Sequence, residues 1–207
     1  MPKTLASNHL LHKTLHSLVS VFVLLLLSTK TLSEQVDTKE SESPSHDFIS
    51  CSIISSEHLT TLQLYQRGVP LKTALESLPG ISREAKQRVS YIYELAMNIG
   101  ILNAYADINT NYTRCANLVF KKNGKPFIDE PNYGYYFCAG ENKRRYEILL
   151  NTDRYMNLDK VIAKTPDTHI DVAISYFKLI EAKGLLAAFD FTANNLKACL
   201  NNLRPTQ

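Results

Sequence analysis

The chain lacks the residue patterns that identify the common enzyme chemistries. It contains no H-E-x-x-H, no G-x-S-x-G and no P-loop, so zincin proteolysis, α/β-hydrolase acyl transfer and P-loop phosphate binding have no signature here. Cysteine is scarce, with 4 in 207 residues, and no C-x-x-C or cysteine–histidine spacing points to zinc. No metal or other cofactor is therefore expected. The amino-terminal apolar run, "LVSVFVLLLL" from Leu18 to Leu27, is too short to cross a bilayer comfortably.

That run has a different meaning in its context. Lys3, Lys13 and Lys30 are the only lysines or arginines before Glu34, and no acid occurs there. A basic start, a short apolar core, and small residues at Thr31 and Ser33 predict a signal peptide over 1–33, cleaved after Ser33. An uncleaved amino-terminal anchor is the alternative. The mature protein is expected to be exported, periplasmic or secreted, with no stable membrane insertion. Residues 34–47, "EQVDTKESESPSHD", are acidic and without an apolar period, and read as a disordered linker. From Phe48 onward there are 19 lysines and arginines against 15 acids, a net charge of +4. This mild basicity permits an anionic partner without requiring one.

All four cysteines, Cys51, Cys115, Cys138 and Cys199, lie in this remaining part. An even count behind a secretory signal predicts two disulfides, for which three pairings exist. A repeat narrows the choice. With an offset of 87 residues, Cys51 falls on Cys138, Leu62 on Leu149, Arg67 on Arg154 and Pro79 on Pro166. After small deletions Ser90-Tyr91 falls on Ser175-Tyr176, Gly100 on Gly184 and Cys115 on Cys199. If the halves are copies of one ancestor, the natural pairing is Cys51–Cys115 and Cys138–Cys199, one bridge per copy.

Helical spacing recurs in both copies. In the first, Ser55 or Ser56 is the expected cap of a helix carrying Leu59, Leu62 and Tyr65 and ending at Gly68. A short helix follows Pro70, and Ser82 caps a third with Val89, Ile92, Tyr93, Ala96 and Ile99 at helical intervals. The second copy repeats the order through Leu149, Val161, "TPDT" and Tyr176. Tyr91 and Tyr176 are both expected to pack inward. The predicted fold is all-α: two tandem disulfide-locked bundles, 48–118 and 138–207, joined over 119–137 by a loop or a short hairpin turning at Asn123-Gly124.

Candidate chemistry is sparse. His58 and His169 lie near expected helix starts and read as solvated or capping residues. Glu76, Glu84, Glu94, Asp107, Asp129 and Glu130 are available to a glycosidase, but their spacing selects no pair. The linking segment is the most distinctive. Lys121, Lys122 and Lys125 precede Tyr133, Tyr135 and Tyr136, and Lys143, Arg144 and Arg145 follow. Basic and aromatic residues together suit a protein-binding hot spot or a polyanion surface. The competing expectation is that the aromatics fill the seam between the copies while the lysines solvate its rim.

The string from Cys51 through "YQRGVP" and "VSYIYELA" to Cys115 resembles small exported bacterial helical proteins of unknown function that open and close on a cysteine. The second copy departs from that pattern, with Arg154-Tyr155 in place of the turn glycine. "VAISYFKLIEAKGLLAAFDFTANNLKAC" is similar to the last helices of the periplasmic immunity proteins that protect bacteria from type VI secretion effectors, without their Pro-Cys ending. Neither resemblance transfers a functional residue. Plant-type invertase and pectin methylesterase inhibitors share the two disulfides, but their first two cysteines are close together, whereas here 64 residues separate them. The expected function is macromolecule binding of an inhibitor or immunity kind, with another protein as the first partner and a polyanion as the second. The alternative is a small exported hydrolase acting on cell wall or another polymer.

Overall fold

The computed structural model describes residues 47–78 and 80–203. The expected signal peptide and residues 34–46 of the linker lie outside the described residues. Eight α-helices and one 3-10 turn account for most of what is described, and no strand occurs there. The order is α1 (Phe48–Gln66), α2 (Leu71–Glu76), α3 (Arg83–Ile99), α4 (Ile101–Asn123), α5 (Pro131–Tyr155), α6 (Leu158–Ile162), a 3-10 turn at Asp167–His169, α7 (Ile170–Lys183) and α8 (Leu185–Asn201). None of these helices is long and apolar enough to cross a membrane.

The first helix begins seven residues earlier than Ser55. Asp47, assigned to the linker by composition, is its N-cap and accepts a hydrogen bond from the Ser50 amide at 2.7 Å. Phe48 and Cys51 are buried, so the first turn is anchored from within. Ser52, Ser55, Thr61 and Gln63 are buried as well, and they blur the apolar stripe that would have marked this helix in the sequence. Ser82 does cap α3, receiving the Ala85 amide at 3.2 Å.

Residues 119–137 form a much shorter connection than composition implies. Val119 is buried, and α4 continues through it to Asn123. Gly124 ends that helix with φ 76°, a conformation glycine adopts without strain. Pro131 then opens α5 at its first position, where a missing N–H costs nothing. Neither hairpin nor long loop forms; only 124–130 are non-helical.

Both disulfides join as the repeat suggested, Cys51–Cys115 tying α1 to α4 and Cys138–Cys199 tying α5 to α8. Closed bridges of this kind fit an oxidising, exported environment. The halves repeat the same plan: a long helix, a short one, a third, then a glycine and a fourth. Gly100 and Gly184 break the chain at equivalent places with nearly equal angles, φ 80° and ψ 156° against φ 81° and ψ 172°. Burial sharpens the register. Cys51 and Leu62 match Cys138 and Leu149 at 87 residues, but Val89, Ile92, Ala96, Ala104, Tyr105 and Tyr112 match Ala173, Tyr176, Ile180, Ala188, Phe189 and Leu196 at 84. The length change therefore falls wholly before α3. This corrects the pairing of Tyr91 with Tyr176: Tyr91 is 49% exposed, and the buried counterpart of Tyr176 is Ile92.

The two expected bundles share one core. Leu59, Leu62, Tyr105 and Tyr112 from the first half and Leu149, Tyr176, Phe189 and Leu196 from the second belong to one continuous buried cluster. Tyr105 and Phe189, equivalent in the repeat, stack on each other with centroids 5.6 Å apart where the halves meet. A smaller cluster of Ala74, Val89 and Tyr93 holds α2 against α3.

Candidate functional site

Packing two copies of one plan around a common core creates two corresponding seams. The first helix of each half lies beside the last helix of the other, giving α1 against α8 and α5 against α4. The two seams are built very differently.

The α1–α8 seam is bridged by a polar network, beside which a hollow of about 450 Å³ is lined by Gln66, Asp190 and Asn194. The Gln63 amide nitrogen donates to Asp190 Oδ1 at 2.6 Å and to Asn194 Oδ1 at 3.1 Å. Lys197 Nζ donates to the Gln63 amide oxygen. The Tyr105 hydroxyl donates to Gln66 Oε1 at 2.8 Å and more weakly to Asp190 at 3.3 Å. Burial, and then the Asp190 carboxylate, push the Tyr105 phenol well above its ordinary range. Burial pulls the Lys197 ammonium below the usual lysine value, against the opposing pull of Asp190. Tyr105 is a hydrogen-bond donor at any physiological pH, so the network has a fixed polarity.

The α4–α5 seam is open. At the position corresponding to Gln63 it has Leu150, and at that corresponding to Lys197 it has Thr113. Two hydrogen bonds bridge these helices, from the Asn142 amide nitrogen to Asn109 Oδ1 at 3.0 Å and from the Tyr146 hydroxyl to the Ala106 carbonyl at 3.3 Å, and beside them a groove of about 390 Å³ remains. Leu118, Tyr146 and Leu150 give it an apolar lining; Arg114, Lys121 and Lys143 stand along it with one acid, Glu147. A second hollow of about 270 Å³ continues it towards the start of α1, sharing Thr113, Asn117, Lys143 and Glu147. This end adds Phe48, Phe120 and Tyr136 as an aromatic wall and Arg144 as a further cation. Tyr136 is fixed by an edge contact with Phe48 at 5.3 Å and by stacking on Phe120 at 6.1 Å.

The residues singled out in the sequence divide between this groove and other places. Lys121, Lys143, Arg144 and Tyr136 line it. Tyr133 leans on Tyr136 at 6.4 Å, and Lys125 sits 5.9 Å from the Tyr133 ring centre, so both buttress the aromatic wall. Tyr135 packs against the core and belongs to the seam filling rather than the surface. Lys122 is exposed at the end of α4. Arg145 lies two residues past Lys143, so helical geometry turns it away; it lines a hollow beside the Cys138–Cys199 bridge.

Sequence reading missed the groove's apolar part. Leu118 is 59% exposed and Leu150 is also exposed, although both sit at helical spacing that reads as core. The same holds for Phe120, and the loop residues Phe127 and Ile128 are 74% and 79% exposed, with Phe137 nearby in sequence also on the surface. Their signal was there, in aromatic and branched residues beside the lysines, but only packing reveals which face is left uncovered.

The histidines differ from expectation. His58 lies in the middle of α1, neither capping nor solvated, and its Nε2 is buried with no hydrogen-bond partner among the described residues. Burial lowers its pKa, partly offset by Glu57. His169 does stand at the start of α7, yet its ring is largely covered and its Nε2 faces Glu141 at 3.4 Å. Among the carboxylates, Asp107 is engaged by Asn111 at 2.9 Å, and Glu76, Glu84, Glu94, Asp129 and Glu130 are exposed. None of these six lines the groove. No group of three or more histidines, cysteines and acids among the described residues could hold a metal. Comparison with family models, curated proteins and solved structures finds no match to this chain.

Proposed function

We propose that this is an exported binding protein, periplasmic or secreted, that holds a segment of another protein in the α4–α5 groove and acts as an inhibitor or immunity-like factor. The observation that carries the reading is the contrast between seams: one is tied by Gln63, Asp190, Asn194 and Lys197, whereas its counterpart, bridged by Asn142–Asn109 and Tyr146–Ala106, has a groove beside it with Leu118 and Leu150 uncovered. From Tyr136 to Leu150 along α5 the groove runs about 21 Å, enough for roughly four turns of helix. Its apolar lining between cations suits an amphipathic helix with acidic flanks, the helix-in-groove mode. A nucleic acid or other polyanion is served less well, because Glu147 stands inside the groove.

Closing the groove tests this. Thr113→Lys with Leu150→Gln places at the open seam the counterparts of Lys197 and Gln63, two of the four residues that tie the other one. Affinity capture from periplasmic or culture fractions should retain a protein on the wild type and on an Arg145→Ala control, and lose it on the closed variant. Retention unchanged by closure, or a polymer-degrading activity that survives it, would overturn the assignment.

A further inference from the structure

The α4–α5 hairpin overhangs the core at its connected end. Asn142 bonds Asn109, and four residues on Tyr146 bonds the Ala106 carbonyl, so α5 runs back along α4 and residues 124–130 form the tip. Val119 is the last buried residue of α4 and Cys138 the first of α5, and nothing between them is buried. The Glu130 amide donates to the Phe127 carbonyl at 3.0 Å, closing a turn with Ile128 near its apex. Phe127 and Ile128 are the two most exposed large apolar residues of the described chain, and neither lines the groove. Aromatic and charged groups step back behind this pair. Lys125 and Tyr133 come next, in cation–π contact. Tyr133 leans on Tyr136, which stacks on Phe120. Lys121 and Lys122 stand in the last turn of α4. None of these three lysines forms an ion pair with a described residue. Asp129 and Glu130 share the turn, so three lysines against two acids leave a local charge of +1.

We infer that this tip docks on an anionic phospholipid surface, with Phe127 and Ile128 entering the acyl boundary and the lysines meeting lipid phosphates. The order of chemistry along the hairpin is that of a membrane interface: apolar at the apex, aromatic and cationic groups behind it. The shape agrees. A projecting apolar pair enters a bilayer without a matching cavity, whereas a protein partner must supply one cut to fit. Asp129 and Glu130 hold the tip at the headgroup boundary, and none of the described helices is long and apolar enough to cross a membrane. Docking is therefore peripheral and reversible. This contact is separate from the groove and does not rest on the function proposed for it.

Co-sedimentation of the mature chain, beginning at Glu34, with vesicles tests it. Phosphatidylcholine vesicles containing about 30% phosphatidylglycerol present the negative surface that attracts lysines. The protein should sediment with these, and several-fold less with phosphatidylcholine alone or in 1 M salt, where the Debye length is about 3 Å. Phe127→Ser with Ile128→Ser should weaken the partition about tenfold or more, since burying each such side chain is worth about that factor. Met97→Ser, at an exposed site on α3, should leave it unchanged. Lys122→Gln with Lys125→Gln should weaken binding to the anionic vesicles alone. The chain has no tryptophan, so Phe127→Trp reports on the tip by itself. Its emission should move to the blue when anionic vesicles are added, and that of Met97→Trp should not. All the substituted side chains are exposed, so unchanged urea midpoints should separate lost docking from lost fold. A wild type that does not sediment with anionic vesicles, a tip variant that sediments as well as wild type, or equal blue shifts at positions 97 and 127 would overturn the inference. So would a tip variant that keeps its vesicles and loses a captured protein, which would make the tip a protein contact.

Discussion

One buried hydrogen bond that sets the first half apart from the second can be tested by a double-mutant cycle. Ser52 and Tyr112 are almost fully buried and their hydroxyls are 2.8 Å apart. Their counterparts in the second half are Ala139 and Leu196, an apolar pair. Conversely, Tyr176 and Thr192 share a hydroxyl contact at 2.6 Å where the first half has Ile92 and Ile108. Each half thus has one polar pair where the other has an apolar one. Burial pushes the Tyr112 phenol up to about 12, a measure of how poorly the site solvates charge. Removing one hydroxyl strands the other away from water at a cost of about 1–3 kcal/mol, whereas removing both leaves a nearly neutral apolar contact. Ser52→Ala and Tyr112→Phe should each destabilise the oxidised protein by about 1–2 kcal/mol in urea unfolding, and the double variant by clearly less than their sum. The coupling should be about 1 kcal/mol. Additivity within about 0.4 kcal/mol, the range found for independent sites, would refute the view that the two hydroxyls are a matched pair.

The other predictions concern separate features. Ile92→Ala should cost about 2–5 kcal/mol by cavity formation, and Tyr91→Ala less than about 1, as measured by urea midpoints; equal costs would restore the Tyr91–Tyr176 register. Replacing Cys51 and Cys115 together by alanine opens a loop of 64 residues and should remove about 4 kcal/mol in the chain-entropy model. Because the core is continuous, thermal unfolding of that variant should remain a single lowered transition rather than leaving the second half intact. His58 has a pKa below its unfolded value of 6.5 because burial disfavours the imidazolium. Unfolding therefore takes up a proton as pH falls below 6.5: stability is full above that pH and declines down to the folded pKa, after which this contribution is constant. His58→Gln should flatten that part of a stability profile measured from pH 7.5 to 5, and an unchanged slope would place the pH dependence elsewhere.

How legible this molecule was depends on which residues carry each feature. The all-helical class and the disulfide pairing were readable because cysteines, glycines and apolar spacing mark them directly. Gly100 and Gly184 announce their breaks through the conformation they alone tolerate easily. The start of α1 was hidden because four of its buried residues are polar, and their partners, such as Tyr112 for Ser52 and Lys197 for Gln63, lie 60 and 134 residues away. Helical periodicity cannot see a hydrogen bond across the fold. The connecting segment misled for the opposite reason: lysine, glycine, proline and tyrosine read as a loop, but Pro131 and Gly124 sit at helix ends, where their restrictions cost least.

The groove was only half legible, and the reason bears on how such a site arises. A chain whose halves share one plan around a common core has two corresponding seams, and nothing requires both to be closed in the same way. Once Gln63, Asp190, Asn194 and Lys197 tie α1 to α8, that contact and the shared aromatic stack of Tyr105 and Phe189 fix the relative position of the halves, while each disulfide closes one half within itself. The remaining seam, held at its inner side by Asn142–Asn109 and Tyr146–Ala106, then needs no further bridge along its outer edge. Leu118 and Leu150 can remain uncovered there because the cost of their exposure is borne by a frame already held elsewhere. Cations can gather along the same seam because no sealing acid is needed from α4. The sequence differences between the halves, Leu150 for Gln63, Thr113 for Lys197, Ala106 for Asp190 and Thr110 for Asn194, are in this view what converts a packing contact into a binding surface. Exchanging Leu150 and Thr113 for their counterparts should therefore abolish binding while leaving the urea midpoint unchanged or raised; a closed variant that is both inactive and unfolded would show that the open seam is structural after all.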